Sequence, residues 1–236
     1  MIARGTGGAW RFCAGALALA ALGAGCGPRD PAPADGATYP EGTAVVVDGR
    51  AVAGAEIDAM AAALSPLQPE LTQNGQRRFV LARLVLEREA VGSLHPEGRA
   101  EARRSAEAEL ERRRIGAPPA TTSALVRGGT VVLGIASWCA LAGAPPDVWV
   151  GPVEEVGTTR LLRRLTEAEA TLTYLISPPP APQDVAAEVL DFPWTDGLTR
   201  EDVDRALDAA RLHIPHPEWR DIVPIDLRHR MGAEAP

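Results

Sequence analysis

Apolar positions along the chain change their period several times, and each change marks an element. The stretch "VVVDGRAVAGAEIDAM", Val45 to Met60, opens as a short apolar run, breaks at Asp48-Gly49, resumes for three residues and then becomes helical. Asp-Gly is a strong two-residue hairpin signal, because a type I′ turn needs positive φ at both central positions. Val45–Val47 is therefore expected to fold back on Arg50–Val52. Ile57, Met60, Ala61 and Leu64 then recur at i, i+3, i+4 and i+7, which predicts one face of a helix starting near Ala53. The prolines of "SPLQPEL" end that helix, since each disfavours helical geometry in the residue before it. Thr72 is placed to cap the next. From Gln76 to Gly92, "QRRFVLARLVLEREAVG" gathers Phe79, Val80, Leu81, Leu84, Leu86, Ala90 and Val91 on a broad apolar face, a predicted core helix. A third helix is expected from Pro96 to about Ile115. Its "EGRAEARRSAEAELERRR" brings Glu101 to Arg104, and Glu109 to Arg112 and Arg113, at the spacings of a solvated helical face.

"GAPPATTS" marks a boundary, after which the pattern is less regular. "TVVLGIASWCAL" is apolar for too short a run to span a bilayer; a buried helix is favoured over a strand. "VWVGPVEEVGTTRLLRRL" and "ATLTYLIS" read as strands from their Val, Thr and Tyr content, with "ISPPPAPQ" as a second linker. Thr199 and Asp202 form a capping box ahead of "REDVDRALDAARLHI", where Val203, Leu207, Ala210 and Ile214 share a face until Pro215 stops the helix. "DIVPIDLRHR" is expected as a closing strand. The predicted class is α+β and mostly helical: a short N-terminal β-hairpin leads into a helical module, with a small strand-containing C-terminal part. The divisions are 1–25, 26–41, 42–116, 117–182 and 183–236.

The first two divisions are compositional. Arg4 and Arg11 precede the uncharged apolar run "FCAGALALAALGAGC", and no acid appears before Asp30, which is a secretory signal pattern. Its end, "LGAGC", resembles the lipobox of bacterial lipoproteins. That likeness implies cleavage before Cys26 and lipidation of its thiol. Gly27 after the cysteine, in place of Asp, implies the periplasmic side of the outer membrane. "GPRDPAPADGATYP" is too rich in Pro, Gly and Ala to bury a core and reads as a tether. Cys13 leaves with the signal and Cys26 would carry lipid, so only Cys139 remains, read as a small buried hydrophobe. The signal takes two of the 24 basic residues and none of the 31 acids, moving the formal charge from −7 to −9. An acidic surface excludes nucleic acid as the expected partner.

Candidate chemistry is sparse. His213 and His216 form an H-x-x-H pair near Asp204 and Asp208, but Pro215 interrupts helical spacing between them. Solvated histidines at a helix end are favoured over a metal site. Ser137 has no G-x-S-x-G context, and no phosphate-cradling glycine loop follows a strand. No enzyme, metal or cofactor is expected.

Val47, Asp48, Gly49, Glu56, Ile57, Arg77, Arg78, Leu81, Leu84 and Glu87, spread over residues 42–115, resemble the N-terminal chaperone module of SurA, PrsA and PpiD-type periplasmic folding factors. The chain departs from that family in carrying Ala53 where Ser or Thr caps the first helix. The resemblance implies a module completed by a C-terminal helix and strand. It further implies a groove between helices, lined by Met60, Leu64, Phe79, Leu84, Val203 and Leu207, that holds unfolded or extended exported proteins. Family members also carry a parvulin prolyl-isomerase domain. "TLTYLISPP" and "VGPVEEVGTTRLL" are faintly like its opening and ending, in reversed order and without histidine, so isomerase activity is not expected. The resulting expectation is a non-catalytic lipoprotein chaperone or assembly factor. The alternatives are an accessory lipoprotein docking one fixed partner, and a divergent prolyl isomerase.

Overall fold

The computed structural model describes residues 39–174, 183–225 and 227. Cys26, most of the tether and most of "ISPPPAPQ" lie outside them. The fold is mixed, about half helical, with two antiparallel sheets. Strand β1 (Thr43–Val47) and strand β2 (Arg50–Ala53) form the expected hairpin, with Val47 opposite Arg50. Asp48 and Gly49 take φ of 48° and 85°, the type I′ turn. Helix α1 (Gly54–Leu64) starts from Ala53 without a side-chain cap. Helix α2 (Gln73–Val80) is capped by Thr72, whose hydroxyl accepts from the Gly75 N–H at 3.2 Å. It runs through a π-helical turn, Leu81–Val85, into helix α3 (Leu86–Leu94). The predicted single core helix is therefore continuous but underwound in its middle. Helix α4 (Pro96–Arg114) follows at once.

The second half is built on a four-stranded sheet in the order β3-β6-β5-β4. Strand β3 spans Ala124–Gly128, β4 Trp149–Glu155, β5 Thr158–Arg164 and β6 Val185–Pro193. The hairpin β4–β5 matches the strands read from "VWVGPVEEVGTTRLLRRL"; Gly151-Pro152 is cis, and the register shifts between Val150 and Val153. Side chains alternate across each strand, so the two faces bury different partners. Arg163 and Glu188 face Arg113 on α4, while Arg160 reaches the Leu133 carbonyl on the opposite side. Helix α4 thus covers one face.

Four expectations need correction. "TVVLGIASWCAL" is not one buried helix but two short ones, α5 (Thr130–Leu133) and α6 (Ile135–Ala142), parted at Gly134 with φ 88°. Any side chain at Gly134 would be strained in that conformation and would overlap the Glu155 carboxylate. The described part of "ATLTYLIS", Ala170–Tyr174, is not a strand: Glu167–Tyr174 is helix α7, anchored where Thr166 and Glu169 exchange hydrogen bonds, and the rest lies outside the described residues. The sheet position goes instead to β6, drawn from "DVAAEVLDFPW", which carried no strand prediction.

The C-terminal helix α8 (Arg200–Ala209) has both bonds of its capping box, yet ends five residues before Ile214. Ala210 turns extended, and Leu212–His213 becomes strand β7. This short piece pairs with β1 to complete the order β2-β1-β7, and the described residues of "DIVPIDLRHR", 221–225 and 227, form no strand. Helix α8 packs along α3, and one buried cluster joins β1, α1, α3, α6, β5, β6 and α8.

Candidate functional site

Of the six residues expected to line a groove, four are closed off from solvent. Met60, Leu64, Leu84 and Val203 are buried, and Phe79 and Leu207 are half-buried against the same cluster. The Met60 carbonyl accepts from the Cys139 thiol at 3.8 Å, which places α6 across that part of α1. Burial, with the neighbouring Glu155 charge, pushes the Cys139 thiol up to about 12, away from the reactive thiolate.

The strongest cluster of ionisable groups lies where none was predicted, on α3. "ERE", Glu87 to Glu89, is buried throughout, because the helix is surrounded on all sides. Successive helical residues are about 100° apart, so three neighbours in sequence address three neighbours in space. Glu87 accepts from Arg200 on α8 at 2.9 Å, and Arg88 pairs with Glu56 on α1 at 2.7 Å. Glu89 faces α4 and the hairpin. It takes Arg99 in a bidentate pair at 2.7 and 3.0 Å, Arg88 at 2.8 Å and Arg50 at 3.1 Å. Arg99 also binds Glu154 of β4 and lies 4.8 Å over the Trp194 ring.

Burial alone would raise the Glu89 carboxyl, but the three guanidinium groups outweigh it and hold it down to about 2. Glu154 is lowered in the same way, with burial opposed chiefly by its bond from Arg99. Glu56, Glu89 and Glu154 balance Arg50, Arg88 and Arg99. Every carboxylate in this hub is already paired, so it holds a fold together and offers no base.

Its neighbour in sequence behaves oppositely. Glu154 and Glu155 alternate across β4, so Glu155 enters the other face, where its carboxylate accepts from the Ser137 N–H at 2.7 Å near the start of α6. The Ser137 hydroxyl, fully buried, borders the same carboxylate without the alignment of a hydrogen bond. Burial dominates here and raises the Glu155 carboxyl, against the smaller lowering by Ser137 and by the Arg160 and Arg88 charges.

The remaining candidate is a surface. Strand β3 stands at the end of its sheet, pairing with β6 on one side; among the described residues no strand pairs with its other edge. Leu125 on β3 is 53% exposed, and Val131 and Val132 on the following α5 are 98% and 57% exposed. Leu125 and Gly128 differ by three positions and point to opposite faces, and Val132 lies against Gly128. Apolar side chains therefore flank both sides of an unpaired edge.

His213 lies in β7 beside Tyr39, their rings 5.2 Å apart, and not at a helix end. Among the described residues no group of three or more His, Cys, Asp or Glu is placed to hold a metal, and no helix is long and apolar enough to cross a membrane. No family model, curated protein or solved structure matches the chain.

Proposed function

We propose that the protein is an exported, lipid-anchored, non-catalytic chaperone or assembly factor that holds extended segments of other exported proteins at the open edge of β3. The supporting observation is the apolar surround of that edge, Leu125, Val131 and Val132. Unpaired edges are normally guarded by charge, proline or a cover, and an extended peptide adds to an open one through main-chain hydrogen bonds. A groove between helices is a weaker reading, because four of its six residues are buried. The closed, ion-paired core favours one alternative, a docking protein with a single fixed partner.

The test is aggregation of an unfolded exported protein, followed by light scattering with and without the chain. Val131→Asp combined with Val132→Asp alters exposed positions and should abolish protection while leaving the thermal melt intact; unchanged protection would refute the β3 site. A pull-down from the envelope fraction separates the two readings, since a chaperone captures many proteins and a docking protein one.

A further inference from the structure

The segment that follows α8 lies extended along β1. After α8 the backbone turns extended at Ala210 (φ −68°, ψ 138°) and is still extended at His216 (φ −116°, ψ 128°). Between them Leu212 and Ile214 are buried and His213 is half-buried, the alternation of a strand lying on a surface. The contacts are those of peptide recognition. Leu212 and His213 pair with Val47 and Val46 on β1. Asp48 clamps the Arg211 backbone twice: its carboxylate accepts from the Arg211 N–H at 3.0 Å, and its own N–H donates to the Arg211 carbonyl at 3.0 Å. Trp219 serves as the anchor. Its ring packs on Gly54, where an added Cβ would stand 2.5 Å away, and Arg77 lies 5.2 Å from the ring centroid. Arg78 then donates to the Asp221 carbonyl at 2.6 Å.

The ladder is short for a reason of composition. Pro215 and Pro217 have no N–H to donate, so pairing with β1 cannot extend past Ile214. The segment is held by two ladder residues, one clamp and one aromatic anchor. Main-chain bonds supply affinity and alternate pockets supply specificity in strand addition. We infer that residues 211–223 are an intramolecular stand-in for an extended partner. A segment with the same spacing, apolar-x-apolar-x-x-x-x-Trp, competes for the β1 edge and the Gly54 pocket by displacing them. This inference concerns a different edge from β3 and does not depend on it.

The experiment uses the full chain and a fluorescent peptide of sequence Ala209–Pro224. Ile214→Ala with Trp219→Ala loosens the resident segment, and anisotropy should then show binding at least tenfold tighter than to the unaltered chain. The same peptide with alanine in place of its tryptophan should lose that gain. A folded variant with no gain overturns the inference. Hydrogen exchange on the unaltered chain gives an answer independent of the variant's folding. Amides of Leu212–Ile214 and Trp219–Val223 should open while those of Leu86–Val91 stay protected. If both sets exchange together at the global unfolding rate, the segment is permanent core and the inference falls. Aggregation suppression lost in the Val131 and Val132 variant, with peptide exchange unchanged, would mark the two sites as separate.

Discussion

Glu87, Arg88 and Glu89 show how little a residue's type says about its place. Glu89 is 2% exposed and surrounded by three arginines, so Glu89→Ala leaves those guanidinium groups buried and uncompensated. The expected cost is about 3 to 5 kcal/mol, measured by chemical denaturation at neutral pH. Because the folded carboxyl is depressed to about 2, its contribution is complete above the ordinary carboxylate range and disappears as pH falls from there through about 2. Stability curves between pH 5 and 2 should therefore be steeper for the unaltered chain than for the variant. Glu155 has the opposite sign. Its raised pKa means that the ionised form strains the fold, and the strain is relieved as pH falls through the folded value toward the unfolded one. Glu155→Gln should be more stable than the unaltered chain at neutral pH, and a lower melting temperature there would contradict this account. None of this was legible in "LEREAVG" or "VEEV". A helical charge run is usually solvated, and only the crowding of α3 from every side makes these charges internal.

Elements were legible where a local rule leaves few choices. Asp-Gly forced the hairpin turn, Thr72 and Thr199 capped their helices, and the Val-rich pair around Gly157 became β4 and β5. Rules failed where tertiary contacts decide. Thr and Tyr favour strands, yet "ATLTY" is helical because the Thr166 and Glu169 bonds start a helix there. "AAEVLDF" shows only weak alternation, and its place in the sheet is fixed by pairing on both sides, with β3 and β5. The apolar run at Thr130 to Leu141 gave no hint that Gly134 would part it. Gly134→Ala meets both a positive φ and the Glu155 carboxylate, so it should cost more than about 1 kcal/mol, read from the denaturation midpoint. Alanine there at no cost would mean that α5 and α6 can join into one helix.

At the scale of the molecule, the boundaries at 116 and 182 mark changes of composition, while the buried cluster runs across both. Which apolar residues are covered and which are exposed was not legible in sequence. Val131 and Val132 look like core residues, and Leu64 and Leu84 look like a binding face, until strand order decides which are covered. Glu87 on α3 depends on α8 for its ion pair, Arg99 on α4 depends on β4 for its second carboxylate, and β1 depends on β7 for its second edge. A fragment of residues 40–118 would expose these charges and this edge, and small domains have little stability to spare. It should show no cooperative thermal transition. Unfolding with the stability of the full chain would mean that the C-terminal half is a separate unit.

The burial of Arg88 and Arg99 has a practical consequence. The chain has no lysine, so a protease specific for basic residues depends on arginine alone. Arg114, exposed at the end of α4, is open to cutting in the native state, whereas Arg88 and Arg99 lie inside helices and are enclosed with their side chains 7% and 5% accessible. Cleavage at those two bonds would act as a built-in reporter, appearing only when the ion-paired centre has opened.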